Sequence, residues 1–203
     1  MKATLLLLSL VSMSQAFTPP PKPILRKPFV AGPYDTPPQE AMADTAASTK
    51  STQILSDIMG LSKQINIFAS FTRDIASVSA RLDTHDLNTT VLAPLNGAVT
   101  SLPRKPWEDP REYAALGSNA YDGKDGEDRA ARNLRRFVEA HVVPVSPWEK
   151  GVKVESVGGG QLWWEEDDKG VRRIMPSGVE VKDVGTSVGN GAVWILKDCL
   201  NYA

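Results

Sequence analysis

Histidine and cysteine, the residue types that most often bind metals or act as bases and nucleophiles, are scarce in this chain. The 203 residues include two histidines, His85 and His141, and one cysteine, Cys199. This set is too small for a four-ligand zinc site made of Cys and His. The sequence also contains no Gly-x-x-x-x-Gly-Lys loop for phosphate. We therefore predict no catalytic residue, no metal and no cofactor, although composition alone leaves a Ser-His-Asp triad open.

Two adjacent tryptophans, Trp163 and Trp164, precede a dense acidic run at residues 165–168. Carboxylate clusters can hold calcium. However, the run falls at the expected tip of a hairpin, where alternate side chains point to opposite faces. We predict a solvated turn, with one indole in the core and the other exposed. The exposed indole keeps a sugar-binding role open.

Asn88 begins the tripeptide Asn-Thr-Thr, which is an acceptor for N-glycosylation. It lies just before a predicted strand, where the chain should still be at the surface. We predict that Asn88 is glycosylated, because the start of the chain indicates export.

Residues 1–16 have the features of a secretory signal peptide. Lys2 is followed by an apolar core at residues 5–11, and Ser14 and Ala16 supply the small residues of a cleavage site. We predict cleavage after Ala16 and localisation in the secretory pathway, either in the vacuole lumen or at the cell surface and exterior.

Residues 17–49 are rich in proline, which blocks both helix and ladder formation. The prolines are Pro19, Pro20, Pro21, Pro23, Pro28, Pro33, Pro37 and Pro38. We interpret this segment as an extended, flexible leader, and a proline-rich ligand for a groove is the alternative.

Residues 50–203 have the composition of one globular domain. Acidic and basic residues nearly balance, 24 against 23, so we expect no nucleic-acid partner. No apolar stretch after the signal is long enough to span a membrane. With one cysteine, no intrachain disulfide can form. We expect a monomer.

Apolar spacing predicts helices in the first half of this domain and strands in the second. Helices are expected near residues 54–61, 65–80, 96–102 and 131–141, with a short strand at 90–92. Residues 104–128 are turn-rich and are predicted to be a long surface excursion pinned by its aromatic side chains. Further strands are expected at 153–157, 161–166, 171–174, 179–184 and 192–197. This order indicates an α+β fold.

Three segments together resemble the fasciclin (FAS1) domain. Residues 90–99 read TVLAPLNGAV, an apolar strand followed by Ala-Pro and a short helix. Residues 137–143 read FVEAHVV, similar to the family's Tyr-His element, with Ala140 in the usual place of the tyrosine. Residues 189–198 read GNGAVWILKD, like the family's last strand. The long excursion is similar to that of small single-domain fungal members.

The resemblance implies N-terminal helices packed on a twisted mixed β-sheet wedge. It also implies a non-enzymatic module for adhesion or protein interaction, with an unknown protein or glycan partner. The family's Tyr-His pair lies near adhesion surfaces, which makes His141 a possible interaction residue beside Trp163 and Trp164. From the residues alone we expect a backbone-bonded core histidine instead. A hydrolase of unrecognised type and a sugar- or cell-wall-binding module are the alternatives.

Overall fold

The computed structural model describes residues 52–202. The predicted signal peptide and almost all of the leader lie outside these residues, so both stay predictions. Six α-helices occur in the described part: α1 (Leu55–Met59), α2 (Asn66–Asp74), α3 (Ala76–Asp83), α4 (Asn96–Ser101), α5 (Pro110–Leu116) and α6 (Gly123–Ala140). A short 3-10 helix at Gly117–Asn119 follows α5.

Seven strands of the described residues form one mixed sheet. They are β1 (Thr89–Pro94), β2 (Val142–Val143), β3 (Val154–Glu155), β4 (Gln161–Glu166), β5 (Arg172–Met175), β6 (Val179–Val188) and β7 (Gly191–Leu196). Their order across the sheet is β2-β1-β7-β6-β5-β4-β3. The pair β1–β7 is parallel, and every other pair is antiparallel. The predicted α+β fold with a mixed sheet is therefore confirmed.

The strands β1 and β7 are apolar at most positions because both of their faces are covered. Every residue of each strand is buried. On one face, Val91 and Val193 pack with the N-terminal helices and α6. On the other face, Leu92 and Trp194 pack with β4, β5 and β6. The parallel pair thus separates two apolar layers, one helical and one built on strands.

The single helix predicted at residues 65–80 is two helices in the structure. Ile75 has an extended backbone, with φ −101° and ψ 100°, and joins α2 to α3. No glycine or proline marks the break in the sequence. Ile75 is buried in the helical layer together with Phe68 and Val78. Burial of the Ile75 side chain stabilises the bend between α2 and α3. The bend could not be predicted from the sequence, because the apolar periodicity continues across it.

The excursion predicted at residues 104–128 is also more helical than expected. It contains α5, and α6 starts at Gly123 rather than near Ala131. The side chain of Asp109 caps α5 by accepting a hydrogen bond from the Arg111 N–H at 2.8 Å, and Pro110 occupies the first turn. The first turns of α6 have no apolar periodicity, because they are polar and Gly126 is their one buried residue, so the sequence pattern did not predict them.

Most strands match their prediction within a few residues. The strand β6 runs four residues longer than expected, to Val188, and β2 was not predicted as a strand. Leu61, assigned to an apolar helix face, follows the end of α1 and is exposed. No helix among residues 52–202 combines the length and the apolar character that crossing a membrane requires.

Candidate functional site

The residues of the first box, at positions 90–99, are architectural. Pro94 is the last residue of β1, where the strand ends against Leu196. Asn96 is a residue type that often caps a helix, but the N-cap of α4 is Leu95 and no side chain bonds there. Asn96 instead accepts a hydrogen bond from Ile67 N–H at 3.1 Å and donates to Lys63 O at 2.8 Å. Its amide therefore joins the start of α4 to the start of α2 and the segment before it.

Asn190, in the turn between β6 and β7, is fully buried and connects three parts of the fold. Its Oδ1 accepts a hydrogen bond from Leu55 N–H at 2.8 Å. Its Nδ2 donates to Leu82 O at 2.9 Å and to Thr84 O at 3.1 Å. The side chain thus pairs with backbone groups at the start of α1 and at the end of α3. Its role is therefore structural.

His141 is a core residue, as its position after an apolar helix face predicted. Its ring is fully buried and lies 4.7 Å from the ring of Phe137. Nδ1–H donates to Phe137 O at 2.8 Å, and Nε2 accepts from Leu200 N–H at 3.0 Å. Burial lowers the pKa of His141 to about 4, so the ring is neutral at neutral pH. The ring presents no exposed atom to a partner, and both nitrogens bond backbone groups rather than a nucleophile.

The pentapeptide GTSVG at residues 185–189 fits the pattern Gly-x-Ser-x-Gly. A nucleophile elbow requires a sharp strand-to-helix turn that exposes the serine. Ser187 lies instead within β6, which leads into the hairpin to β7, and its hydroxyl donates to Gly191 O at 3.4 Å. The segment therefore matches the Gly-x-Ser-x-Gly sequence pattern but does not have the geometry of a nucleophile elbow.

Cys199 is half-buried and unpaired, and it is not activated. Burial, followed by the charge of Asp198, raises the pKa of the Cys199 thiol to about 12. The thiolate, which is the nucleophilic form, is thus suppressed at physiological pH.

The two adjacent tryptophans lie on opposite faces of β4, as predicted. Trp164 is buried against Trp194, with ring centroids 5.8 Å apart, and its Nε1 donates to Trp148 O. Trp163 is half-exposed and bonds Glu165 Oε1 at 2.8 Å. The ammonium of Lys153 lies 4.9 Å from the centre of its ring. Trp163 is therefore the indole with surface left for contact.

The acidic run at residues 165–168 forms the predicted hairpin tip between β4 and β5. Asp167 Oδ1 accepts from the N–H groups of Lys169 and Val171, and its Oδ2 pairs with Arg173 at 3.2 Å. Glu166 pairs with Lys150 at 3.0 Å. Within residues 52–202 no cluster of His, Cys, Asp and Glu could hold a metal ion.

Asn88 is exposed, one residue before β1. The hydroxyl of Thr90, the last residue of the acceptor tripeptide, is turned inward and donates to Val145 O at 2.6 Å. The exposed asparagine is compatible with an attached glycan, and its glycosylation stays a prediction.

The feature that sequence reasoning missed is a groove beside the C-terminal segment. It consists of two clefts that share Leu102 and Tyr202. The larger one, of about 830 Å³, we call the C-terminal cleft; its apolar wall includes Leu162, Pro176 and Leu200. The two clefts adjoin at the shared residues, and we call them together the groove.

The smaller cleft, of about 310 Å³, lies between the excursion and α6, and we call it the arginine cleft. Its apolar walls are Leu102, Pro103, Pro106, Pro110 and Tyr202. Its charged lining residues are Arg104, Glu108, Asp109, Arg111 and Arg136. Three prolines at residues 103–110 and the arginine-rich α6 were the available signals, but only the fold brings them together.

A polar network fixes the excursion against α6 and so shapes this cleft. Asn133 Nδ2 donates to Trp107 O at 3.1 Å and to Glu112 Oε2 at 2.8 Å. The hydroxyl of Tyr121 donates to the same Glu112 oxygen and accepts from Asp109 N–H. The Tyr121 hydrogen bond lowers the pKa of Glu112, whereas burial raises the pKa of Tyr121. The lowered pKa keeps Glu112 ionised as an acceptor, and the raised pKa keeps the Tyr121 hydroxyl protonated as a donor.

No family model matches the chain. Curated relatives do: the chain is 58% identical to a FAS1 domain-containing protein of Neurospora crassa, over 87% of this chain and 79% of the relative. It is 48% identical to a FAS1 domain-containing protein of Aspergillus fumigatus, over 73% of this chain. The match spans 64% of that relative's length, so the chain corresponds to somewhat less than two thirds of it.

Among solved structures, the chain is similar to a FAS1 domain pair from the insect cell adhesion molecule fasciclin I. The TM-score is 0.43 at 18% identity, covering 68% of this chain and 45% of the other. The identity to the fungal relatives extends over most of this chain, and the three sequence boxes occupy strands and a helix in the expected order. The chain belongs to the FAS1 domain family.

Proposed function

We propose that this chain is a non-enzymatic FAS1 module of the secretory pathway that binds a macromolecular partner through the groove formed by the two clefts. The groove is the observation that carries the proposal. It is open to solvent, and His141, which accepts a hydrogen bond from Leu200 in its wall, is itself fully buried. Apolar walls beside charged side chains suit a protein partner, because protein interfaces combine an apolar centre with a polar rim.

The arrangement of the chemically capable residues supports the same proposal. His141 bonds backbone atoms in the core, and the pKa of Cys199 is raised to about 12. The apolar and charged groups that line the two clefts come instead from the excursion, α6, the sheet and the C-terminal segment. Adhesion-type interaction at the cell surface, or a corresponding role in the vacuole lumen, is the form of binding that we propose.

Localisation of the tagged full chain, followed by crosslinking and affinity purification from the compartment where it is found, tests this function. We expect the protein in the vacuole or at the cell surface, processed after Ala16 and carrying a glycan on Asn88. A cytosolic protein with Met1 intact would contradict the secretory assignment, and unchanged gel mobility after glycosidase treatment would contradict the glycan.

A sugar- or cell-wall-binding module is the second candidate, favoured by Trp163. This indole is half-exposed, but Lys153 and Glu165 already contact it. Binding to insoluble cell-wall polysaccharide that is lost in Trp163→Ala, while the groove variants described below bind normally, would favour this candidate.

A further inference from the structure

The floor of the arginine cleft presents an acceptor that has no donor. Asn133 is 4% exposed and lines the cleft. Its amide nitrogen donates to Trp107 O and Glu112 Oε2 and lies 3.2 Å from the Tyr121 hydroxyl. No hydrogen bond between residues 52–202 reaches Asn133 Oδ1. No fully enclosed side-chain oxygen in that part of the chain lacks a partner, so Oδ1 is reached by solvent, and the cleft is the open space that Asn133 lines.

The rim of the same cleft carries three arginines against two acidic residues. Arg111 and Arg136 share one carboxylate, Asp109, at long distances of 3.7 Å and 3.5 Å. Arg104 stacks over the ring of Tyr113, 5.4 Å from its centre. Glu108, the other acid of the rim, already accepts hydrogen bonds from Lys105 N–H and the Tyr113 hydroxyl. Guanidinium groups with such long-distance partners can still form close, charge-assisted hydrogen bonds with the carboxylate of a bound partner.

We propose that the arginine cleft binds an extended acidic segment of a protein partner. One apolar side chain of that segment inserts between the prolines and Tyr202. Carboxylates on either side of it pair with Arg104, Arg111 and Arg136, and a peptide N–H donates to Asn133 Oδ1. A simple carboxylic acid could satisfy the arginines but brings no donor for Oδ1. This inference rests on the proposed function and specifies the chemistry of its partner.

Labelled peptides of about ten residues test the site. The probe has a central Leu flanked by Glu on both sides, and the controls carry Gln or Lys in place of every Glu. Fluorescence anisotropy with the full mature chain should show saturable binding of the Glu peptide that weakens as salt is added. Equal binding of the Gln peptide, or no saturation up to about 1 mM, would overturn the proposal.

Matched arginine variants assign the binding to the cleft. The double substitution Arg104→Gln with Arg136→Gln should weaken binding of the Glu peptide at least about tenfold, because charge-assisted hydrogen bonds are lost. Arg135→Gln is the control, because Arg135 is exposed on α6 and does not line the cleft. Its effect should stay below about twofold, because successive side chains of a helix point in different directions and an exposed charge is screened by salt. If Arg135→Gln weakened binding of the Glu peptide equally, the binding would depend on overall positive charge, and the assignment to the arginine cleft would be wrong.

Failure of this inference can be separated from failure of the proposed function. If a partner isolated by crosslinking with the wild-type chain bound the double arginine variant equally well, the interaction function would stand. The acidic-segment site would then be wrong. Melting curves of both variants are needed alongside, and an unchanged melting temperature shows that lost binding reflects the site rather than the fold.

Discussion

At the scale of single residues, the two Asn-Gly pairs show why a local motif does not define the role of a side chain. Asn-Gly is a strong local turn signal. Asn96 instead bonds Ile67 and Lys63, and Asn190 bonds Leu55 and Leu82, residues distant in sequence. A local propensity predicts where the chain bends, but the partners of a buried amide depend on which elements the fold brings to it.

Asn190→Ala should destabilise the domain strongly. The change removes hydrogen bonds from three backbone groups in or near the core, at ~1–3 kcal/mol for each one left unpaired, so we expect a total loss of about 3–5 kcal/mol. Denaturant unfolding measures the loss. Asn119→Ala, at an exposed position, is the control and should stay within about 0.5 kcal/mol. Similar values for the two variants would contradict the role of Asn190.

The pKa of His141 predicts a pH dependence of folding. It falls from 6.5 in the unfolded chain to about 4 in the folded protein, so between these values only the unfolded state binds the proton. The contribution of His141 to stability is therefore complete above pH 6.5 and is lost as the pH falls towards 4. The loss amounts to about 3 kcal/mol.

Denaturant unfolding between about pH 7 and pH 4.5 checks this dependence, since protonation couples to unfolding there. His141→Gln should be less stable at neutral pH but should show a flatter dependence in this window. His85→Gln changes an exposed histidine and should keep the slope of the wild type. A wild-type slope in His141→Gln would show that other groups cause the acid sensitivity.

At the scale of elements, strands were easier to predict than helices. The alternation and apolar runs of β4 and β7 reflect faces that each strand buries, so their positions could be found from the residues. The bend at Ile75 and the polar start of α6 depend on tertiary packing, and no local signal gives them. Asp109-Pro110 was a readable start signal for α5 that the turn-rich composition around it obscured.

Trp194 makes β7 the centre of the strand-built layer. Its ring stacks on Trp148 at 5.6 Å, meets Trp164 edge-on, and is covered by the guanidinium of Arg172 at 4.6 Å. Trp194→Ala should leave a cavity and cost ~3–5 kcal/mol.

The matched change is Glu166→Ala at the exposed hairpin. Its ion pair with Lys150 is at the surface, so the cost should stay within about 0.5 kcal/mol. Denaturant melts compare the two variants. A mild effect of Trp194→Ala together with a severe effect of Glu166→Ala would require a structural role for the acidic run.

At the scale of the whole molecule, family and fold could be predicted from three short boxes, whereas the candidate site could not. The boxes are made of residues that the core requires, and such residues leave a periodic apolar pattern. The arginine cleft joins Leu102, Arg136 and Tyr202, which lie far apart in sequence on an irregular loop, a helix and the C-terminal segment. Their proximity follows from the packing of the excursion against α6, which composition does not specify.

The proline-rich segment should be dispensable for folding. Prolines at residues 19–38 remove backbone donors, and the segment offers little apolar surface to bury. A chain beginning at residue 50 should melt within a few degrees of the mature protein, the range that about 1 kcal/mol produces in a domain of this size. Calorimetry of both chains decides, and a much larger loss would mean that the leader packs on the domain.

Site-specific photocrosslinking in the native compartment tests most directly that the groove is the interaction surface. A photoreactive amino acid replaces Pro103, an exposed residue of the arginine cleft, in the full chain, and in parallel replaces Arg135 or Trp163. We expect one discrete protein adduct from position 103 and none from position 135 or 163. Adducts from position 163 with none from position 103 would contradict it and move the binding surface to the exposed indole.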